Sequence, residues 1–216
     1  MSSVNKKFSK IKIFLTGFGP FLTVTNNPAE IVTTTLFEKK SELDTQYTTL
    51  IHKEIFEVSV KGVNTLFPSF FEFVKKHSTK ENELSILVHY GVSKSIAMAQ
   101  LEERGQNYIN DHADNNKVIE PKAEAEYIYS NLNVDEIVTK LKEKDILCSK
   151  SNSAGVYLCN YIYYTSLKHT KSLENIKSLF IHIPIFDNFS LEQNINFFKE
   201  FISVLEELYI SQDNLK

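Results

Sequence analysis

In the last third of the chain, the run Ser151-Asn-Ser-Ala-Gly-Val-Tyr-Leu-Cys159-Asn160-Tyr161 precedes an apolar segment that carries His182 in Phe180-Ile-His-Ile-Pro184. A thiol attacks only as its thiolate, so a cysteine of this kind needs a proton acceptor or a positive field beside it. A Ser/Gly-rich turn entering a helix, followed by a strand ending in His-x-Pro, supplies both. The spacing predicts a helix over about 154–167, with Cys159 in its first or second turn. Helix-dipole stabilisation fades beyond the first turn, which makes His182 the more important partner of the sulfur. A base also needs an orienting group on its second ring nitrogen. Glu102, Glu103, Asp111 and Asp187 are all candidates, and each is equally explained as a solvated surface charge. His52, His77, His89, His112 and His169 show no metal-ligand spacing, and His89, on an apolar strand, reads as a hydrogen-bonded core residue.

Strand-like and helix-like segments alternate to position these groups. Ile11 to Phe18 is a short apolar run ending in Gly17, Gly19 and Pro20, a buried strand feeding a turn. Asn27-Pro28 with Glu30 provides an N-cap, a first-turn proline and a first-turn carboxylate for a helix to about Phe37. Thr48–Phe56 reads as a second strand, 58–77 as a helix kinked or interrupted at Pro68, and Leu84–Tyr90 as a third strand. From about Asn107 to Pro121 apolar periodicity is lost, which predicts a long mobile loop. Asn133 and Glu136 start a further helix. Ser178–Ile183 is a buried strand, and Ser190 caps a final helix with Leu191, Ile195, Phe198, Ile202, Leu205 and Leu208 on one stripe. Strands separated by helices of this length predict an α/β fold with a mostly parallel, twisted sheet covered on both faces. Functional groups of such sheets gather beyond the carboxyl ends of the strands. Thr16 to Phe21, Gly91 to Asn107 and His182 all fall there.

The 216 residues suit one domain over 1–216, with 1–9 and 211–216 expected as disordered tails. A net charge of −3 argues against a nucleic-acid partner. The two cysteines, Cys148 and Cys159, are too few for a disulfide framework and do not form a C-x-x-C redox pair. The apolar run Ile11–Leu15 is too short for a signal-peptide core or a membrane span. A reducing cytoplasmic location, with no membrane partner, is the expectation.

Four motifs occur in order: Gly17-Phe-Gly-Pro-Phe21 with Asn27-Pro28 after it; Leu101-Glu102 five residues before Asn107; Ala154-Gly-x-Tyr-Leu-Cys159-Asn160; and Phe180-Ile-His182-Ile-Pro184. Together the chain resembles the pyroglutamyl peptidase I (pyrrolidone-carboxylate peptidase) family over about Ile11 to Glu207. The resemblance implies a three-layer α/β/α sandwich of the phosphorylase/hydrolase-like type. It implies a cysteine exopeptidase that removes N-terminal pyroglutamyl residues from peptides through a thioester, with no cofactor and no metal. By match to the motifs, Cys159 is the nucleophile, His182 the base and acid, and Glu102 the orienting carboxylate, preferred to Glu103 because Asn107 stands five residues on. Phe18 and Phe21 would wall the lactam, Asn27 would brace the substrate loop, and Val92, Tyr157 and Leu158 would line or close the pocket. Two departures stand out. The arginine that some bacterial relatives carry after the glutamate motif has no counterpart between Asn107 and Pro121, and Ala29 stands where serine is frequent. A catalytically silent module of the same fold, binding a peptide or small lactam, is the alternative. Monomer and homo-oligomer are equally compatible with the sequence.

Overall fold

The structure, a computed structural model, describes residues 7–21, 25–111, 115–119, 121 and 125–211, without the side chains of 111 and 115–117. In chain order the elements are β1 (Lys10–Phe18), α1 (Pro28–Glu38), α2 (Lys40–Leu43), β2 (Thr48–Phe56), α3 (Val60–His77) and β3 (Glu83–Val92). Five short strands follow: β4 (Ala99–Glu102), β5 (Arg104–Gln106), β6 (Ile109–Asp111), β7 (Asn115–Lys117) and β8 (Tyr127–Tyr129). The chain then runs through α4 (Val134–Glu143), β9 (Cys148–Ser151), α5 (Leu158–Thr170), β10 (Ile176–Ile183) and α6 (Leu191–Tyr209).

The central sheet has the order β2-β1-β3-β10-β4-β9. Every neighbouring pair is parallel except β10 with β4. One face packs against α3 and α5, where Phe14, Leu87 and Phe180 meet Val63, Phe67, Phe70, Ile162 and Leu167. The other face packs against α1, α4 and α6. The mostly parallel, doubly covered sheet expected from the alternation of elements is the observed architecture. Among the described residues, no helix is long and apolar enough to cross a membrane.

Local chemistry explains the element boundaries. Asn27 Oδ1 accepts the Ala29 N–H at 3.0 Å, with Pro28 opening α1. Asn133 caps α4 through the Glu136 N–H, and Ser190 and Gln193 form a reciprocal capping box at α6. Pro68 lies inside α3 without ending it. An interior proline costs about 3 kcal/mol. Burial of Val63, Phe67, Phe70, Phe71 and Val74 contributes on the order of 10 kcal/mol in the same helix, so tertiary packing wins.

Four expectations need correction. The stretch 107–121 holds the antiparallel pair β6–β7 and feeds β8, which pairs with β5; backbone pairing organises a segment that has no apolar period. The apolar face of α6 is wider than the expected stripe: Phe198, Ile202, Leu205 and Leu208 are buried as expected, Phe197, Phe201 and Val204 are buried beside them, and Leu191 and Ile195 are half-buried against the same core. Residues 7–9 are packed. Phe8 is buried and bridges Ile210, and the Ser211 N–H donates to Phe8 O, so the fold takes in residues 8 and 211, which were expected in the tails. Residues 1–6 and 212–216 lie outside the described residues. The fourth correction, the start of α5, bears directly on the site.

Candidate active site

Helix α5 begins at Leu158, four residues later than expected, because Tyr157 has extended backbone angles (φ −110°, ψ −154°) and acts as the N-cap. Cys159 is therefore the second residue of the helix. It lies within the first turn, among backbone N–H groups that lack intrahelical acceptors. The thiol is free and half-buried.

Gly91, near the carboxyl end of β3, leaves the space into which the sulfur fits. A Cβ at that position would lie 2.8 Å from Cys159 Sγ and 2.5 Å from Phe180 Cζ, so only glycine allows the sulfur to sit against the sheet. Beside it, β10 places His182 next to Phe180, with ring centroids 4.7 Å apart. In the sheet His182 is the register partner of Gly91 on one side and of Gln100 on the other. Parallel pairing with β3 thus brings imidazole and thiol to one strand end.

His182 Nδ1–H donates to Glu102 Oε1 at 2.7 Å. The side chain of Cys159 is the second group that acts on the imidazole. Burial alone would lower the pKa of His182, but the hydrogen bonds and negative charges of Cys159, as a thiolate, and of Glu102 outweigh it and raise it to about 10. The imidazole therefore sits between the Glu102 carboxylate and the Cys159 side chain, an arrangement suited to proton exchange with the thiol.

The antiparallel strand β4 delivers the carboxylate. Glu102, opposite Phe180, is 1 % exposed. Glu103 turns outward and pairs with Lys150 Nζ at 3.3 Å. Asp187 is exposed. The side chain of Asp111, and His112, lie outside the described residues. Of the orienting groups whose side chains are described, Glu102 is the one that touches the imidazole.

The residues expected around the lactam divide. Phe18 is buried and faces Phe56, with centroids 6.5 Å apart, in the core cluster that Leu158 and Cys159 also join. Asn27 is 1 % exposed, and both ends of its amide are bonded: Nδ2 donates to Gly19 O at 2.9 Å while Oδ1 caps α1. Through these bonds it braces the turn after β1. Phe21 and Val92 are half-buried, and Tyr157 is 47 % exposed at the mouth of α5. Cys148 lies in the core on the opposite face of the sheet, where burial pushes its thiol up to about 11. It is chemically remote from Cys159.

Sequence reasoning missed two contributors. Gly91 opens one of the segments expected beyond the strand ends, but nothing local signals that a sulfur would pack on it. Tyr163, buried, donates its hydroxyl to Glu102 O at 2.7 Å. Its place one turn after Cys159 was the available signal.

A model of the family described as pyroglutamyl peptidase matches residues 11–197 of this chain. The pyrrolidone-carboxylate peptidase of Pyrococcus furiosus is 32 % identical over 184 residues, which cover 81 % of each chain. That of Thermosipho melanesiensis is 27 % identical over 190 residues, covering 85 % of this chain and 87 % of its own. A solved structure of a variant of the Pyrococcus furiosus pyrrolidone carboxyl peptidase superposes with a TM-score of 0.73 at 26 % identity, covering 91 % of this chain and 99 % of the other.

Proposed function

On the premise that this chain belongs to the pyroglutamyl peptidase family, we propose that it is a cysteine exopeptidase that cleaves N-terminal pyroglutamyl residues from peptides, with Cys159, His182 and Glu102 as its catalytic group. One observation carries the assignment of roles: a buried imidazole bonded at Nδ1 to Glu102 (2.7 Å), on the strand beside Gly91, against which the Cys159 sulfur packs.

The chemistry follows from that arrangement. The Cys159 thiolate attacks the pyroglutamyl carbonyl carbon, and the electron pair of the C=O moves to oxygen. Collapse of the tetrahedral oxyanion expels the amine, which takes its proton from His182 and leaves a thioester on the sulfur. His182, now neutral, accepts a proton from water as the water attacks the thioester, and pyroglutamate leaves with the thiolate restored. Glu102 holds the tautomer and stabilises the imidazolium without itself changing protonation. Backbone N–H groups in the first turn of α5 are suited to the oxyanion because they lack intrahelical acceptors, and such donors are worth roughly 3 kcal/mol each.

A pyroglutamyl ring is apolar in body, with one N–H and one C=O, and needs a pocket that combines aromatic walls with backbone partners. We assign Phe21, Val92, Tyr157 and Leu158 to that pocket, with Phe18 behind them and Asn27 fixing the turn. A free, half-buried nucleophilic thiol suits a reducing compartment, which supports a cytoplasmic setting.

The test is release of a reporter amine from a pyroglutamyl conjugate, set against the corresponding prolyl conjugate. Turnover of the first alone, abolished by alkylation and by Cys159→Ser, is the expected outcome. Undiminished turnover by Cys159→Ala overturns the assignment, and equal turnover of both conjugates overturns the pocket.

A further inference from the structure

The nucleophile and the carboxylate reach the site on chain segments far apart in sequence, and one face of α5 joins them. Asn160, 1 % exposed, accepts the Gln106 N–H at Oδ1 (2.8 Å) and donates from Nδ2 to Gln106 O (2.8 Å) and Tyr108 O (2.7 Å). One turn on, the Tyr163 hydroxyl donates to Glu102 O at 2.7 Å. Between these ties Gly105 lies flat on the helix: a Cβ there would be 2.8 Å from Tyr164 Cα and 2.9 Å from Tyr164 N. Positions 160, 163 and 164 share one helical face, and 102 to 108 is one continuous run, so the three contacts form a single seam.

Asn160 is the specific element of that seam. An asparagine amide offers two donor hydrogens and a carbonyl acceptor on one planar group. Here the acceptor and the donors meet the N–H and C=O of one residue and the C=O of another, as a strand neighbour would. A side chain lacking either half leaves backbone groups of this buried seam without partners.

We propose that Asn160 is a positioning residue for the reaction, setting the distance between the Cys159 sulfur and the Glu102–His182 pair by locking the first turn of α5 to residues 106–108. The inference rests on the reading of Cys159 and His182 as nucleophile and base. Its loss displaces the thiol relative to the imidazole, while Phe21 and Val92, which lie outside α5, keep their places in the pocket, so kcat changes more than KM.

The experiment compares full-length wild type, Asn160→Ala, Tyr163→Phe and Cys159→Ser, each first checked for folding by circular dichroism and thermal melting. Alkylation of Cys159 by iodoacetamide, located by peptide mass spectrometry, is timed at about pH 6.5 and about pH 9, and kcat and KM are measured on a pyroglutamyl conjugate. The ratio of the two alkylation rates cancels changes in accessibility and reports how well the imidazole keeps the sulfur ionised at the lower pH. For Asn160→Ala the ratio should fall at least about fivefold below wild type, and kcat about tenfold, with KM within about threefold. Tyr163→Phe should move the ratio the same way by about twofold. A folded Asn160→Ala with the wild-type ratio and kcat overturns the proposal. Should that variant not fold, an unchanged ratio in Tyr163→Phe overturns it. Cys159→Ser separates the two readings: wild-type turnover there sinks the peptidase assignment itself, whereas its inactivity beside an unaltered Asn160→Ala sinks only the positioning role.

Discussion

Replacing His89 by glutamine removes a titratable ring from the interior of the sheet, and its effect on acid stability can be worked from the structure. His89 is fully buried on β3, shares a 2.7 Å hydrogen bond with Thr16 Oγ1 on β1, and stacks near Phe180. Its Nε2 has no hydrogen-bond partner among the described residues. Burial therefore depresses its pKa from 6.5 to about 3. A histidine depressed in this way contributes stability above its unfolded pKa, and the contribution is lost as pH falls from about 6.5 towards 3. At about pH 5 the unfolded ring is almost wholly protonated and the folded ring almost wholly neutral, which costs the folded state about 2 kcal/mol relative to neutrality. Urea unfolding of wild type and His89→Gln at about pH 7.5 and about pH 5 isolates this quantity, because the other titrating groups are common to both chains. The wild type should lose about 2 kcal/mol more than the variant between the two conditions, whatever the variant's absolute stability. Parallel losses in the two proteins would refute the argument that burial holds this ring neutral.

Cys159→Ala and His182→Ala should each lower kcat by at least about 10³-fold, whereas Glu102→Gln, which orients and does not react, should lose about tenfold; equal losses at all three positions would contradict that division of labour. Since Glu102 is one of the groups that raise the pKa of His182, Glu102→Gln should also move the alkaline limb of kcat/KM to lower pH by about one unit, measured across the full profile. Gly91→Ala would set a methyl 2.8 Å from the sulfur and 2.5 Å from Phe180; loss of about 1–3 kcal/mol of stability and of most thiol reactivity towards iodoacetamide is expected, and a fully active variant would mean the sulfur does not rest on β3. Glu103→Gln breaks only a partly exposed ion pair with Lys150, so kcat/KM should stay within about twofold of wild type in steady-state assays.

Elements that carry their own start signals and a long apolar period were legible before any coordinates. Thr48–Phe56 is a strand with the bounds expected, and Asn27, Asn133 and Ser190 cap helices as their spacing implied. The segment that carries Glu102 was not legible, for a physical reason. β4 has four residues, held by β10 on one side and β9 on the other, so its conformation comes from partners remote in sequence and leaves no local period. The ambiguity between Glu102 and Glu103 has the same origin. Neighbouring residues of a strand point to opposite faces, so an assignment of Ala99–Glu102 as a strand with Ala99 and Leu101 on one core face would have put Glu102 on the other, the face of His182. The end of α5 shows the converse. The residue types predict a helix from about Ala154, but Tyr157 takes extended angles, and of the two turns the sequence allowed for Cys159 the later start selects the first. The bonds between Asn160 and Gln106 span 54 residues. The proposed catalytic group, assembled from short strands and one helix end, thus depends on long-range polar pairing at the very positions where local sequence signals are weakest, while the periodic core behind it is specified locally.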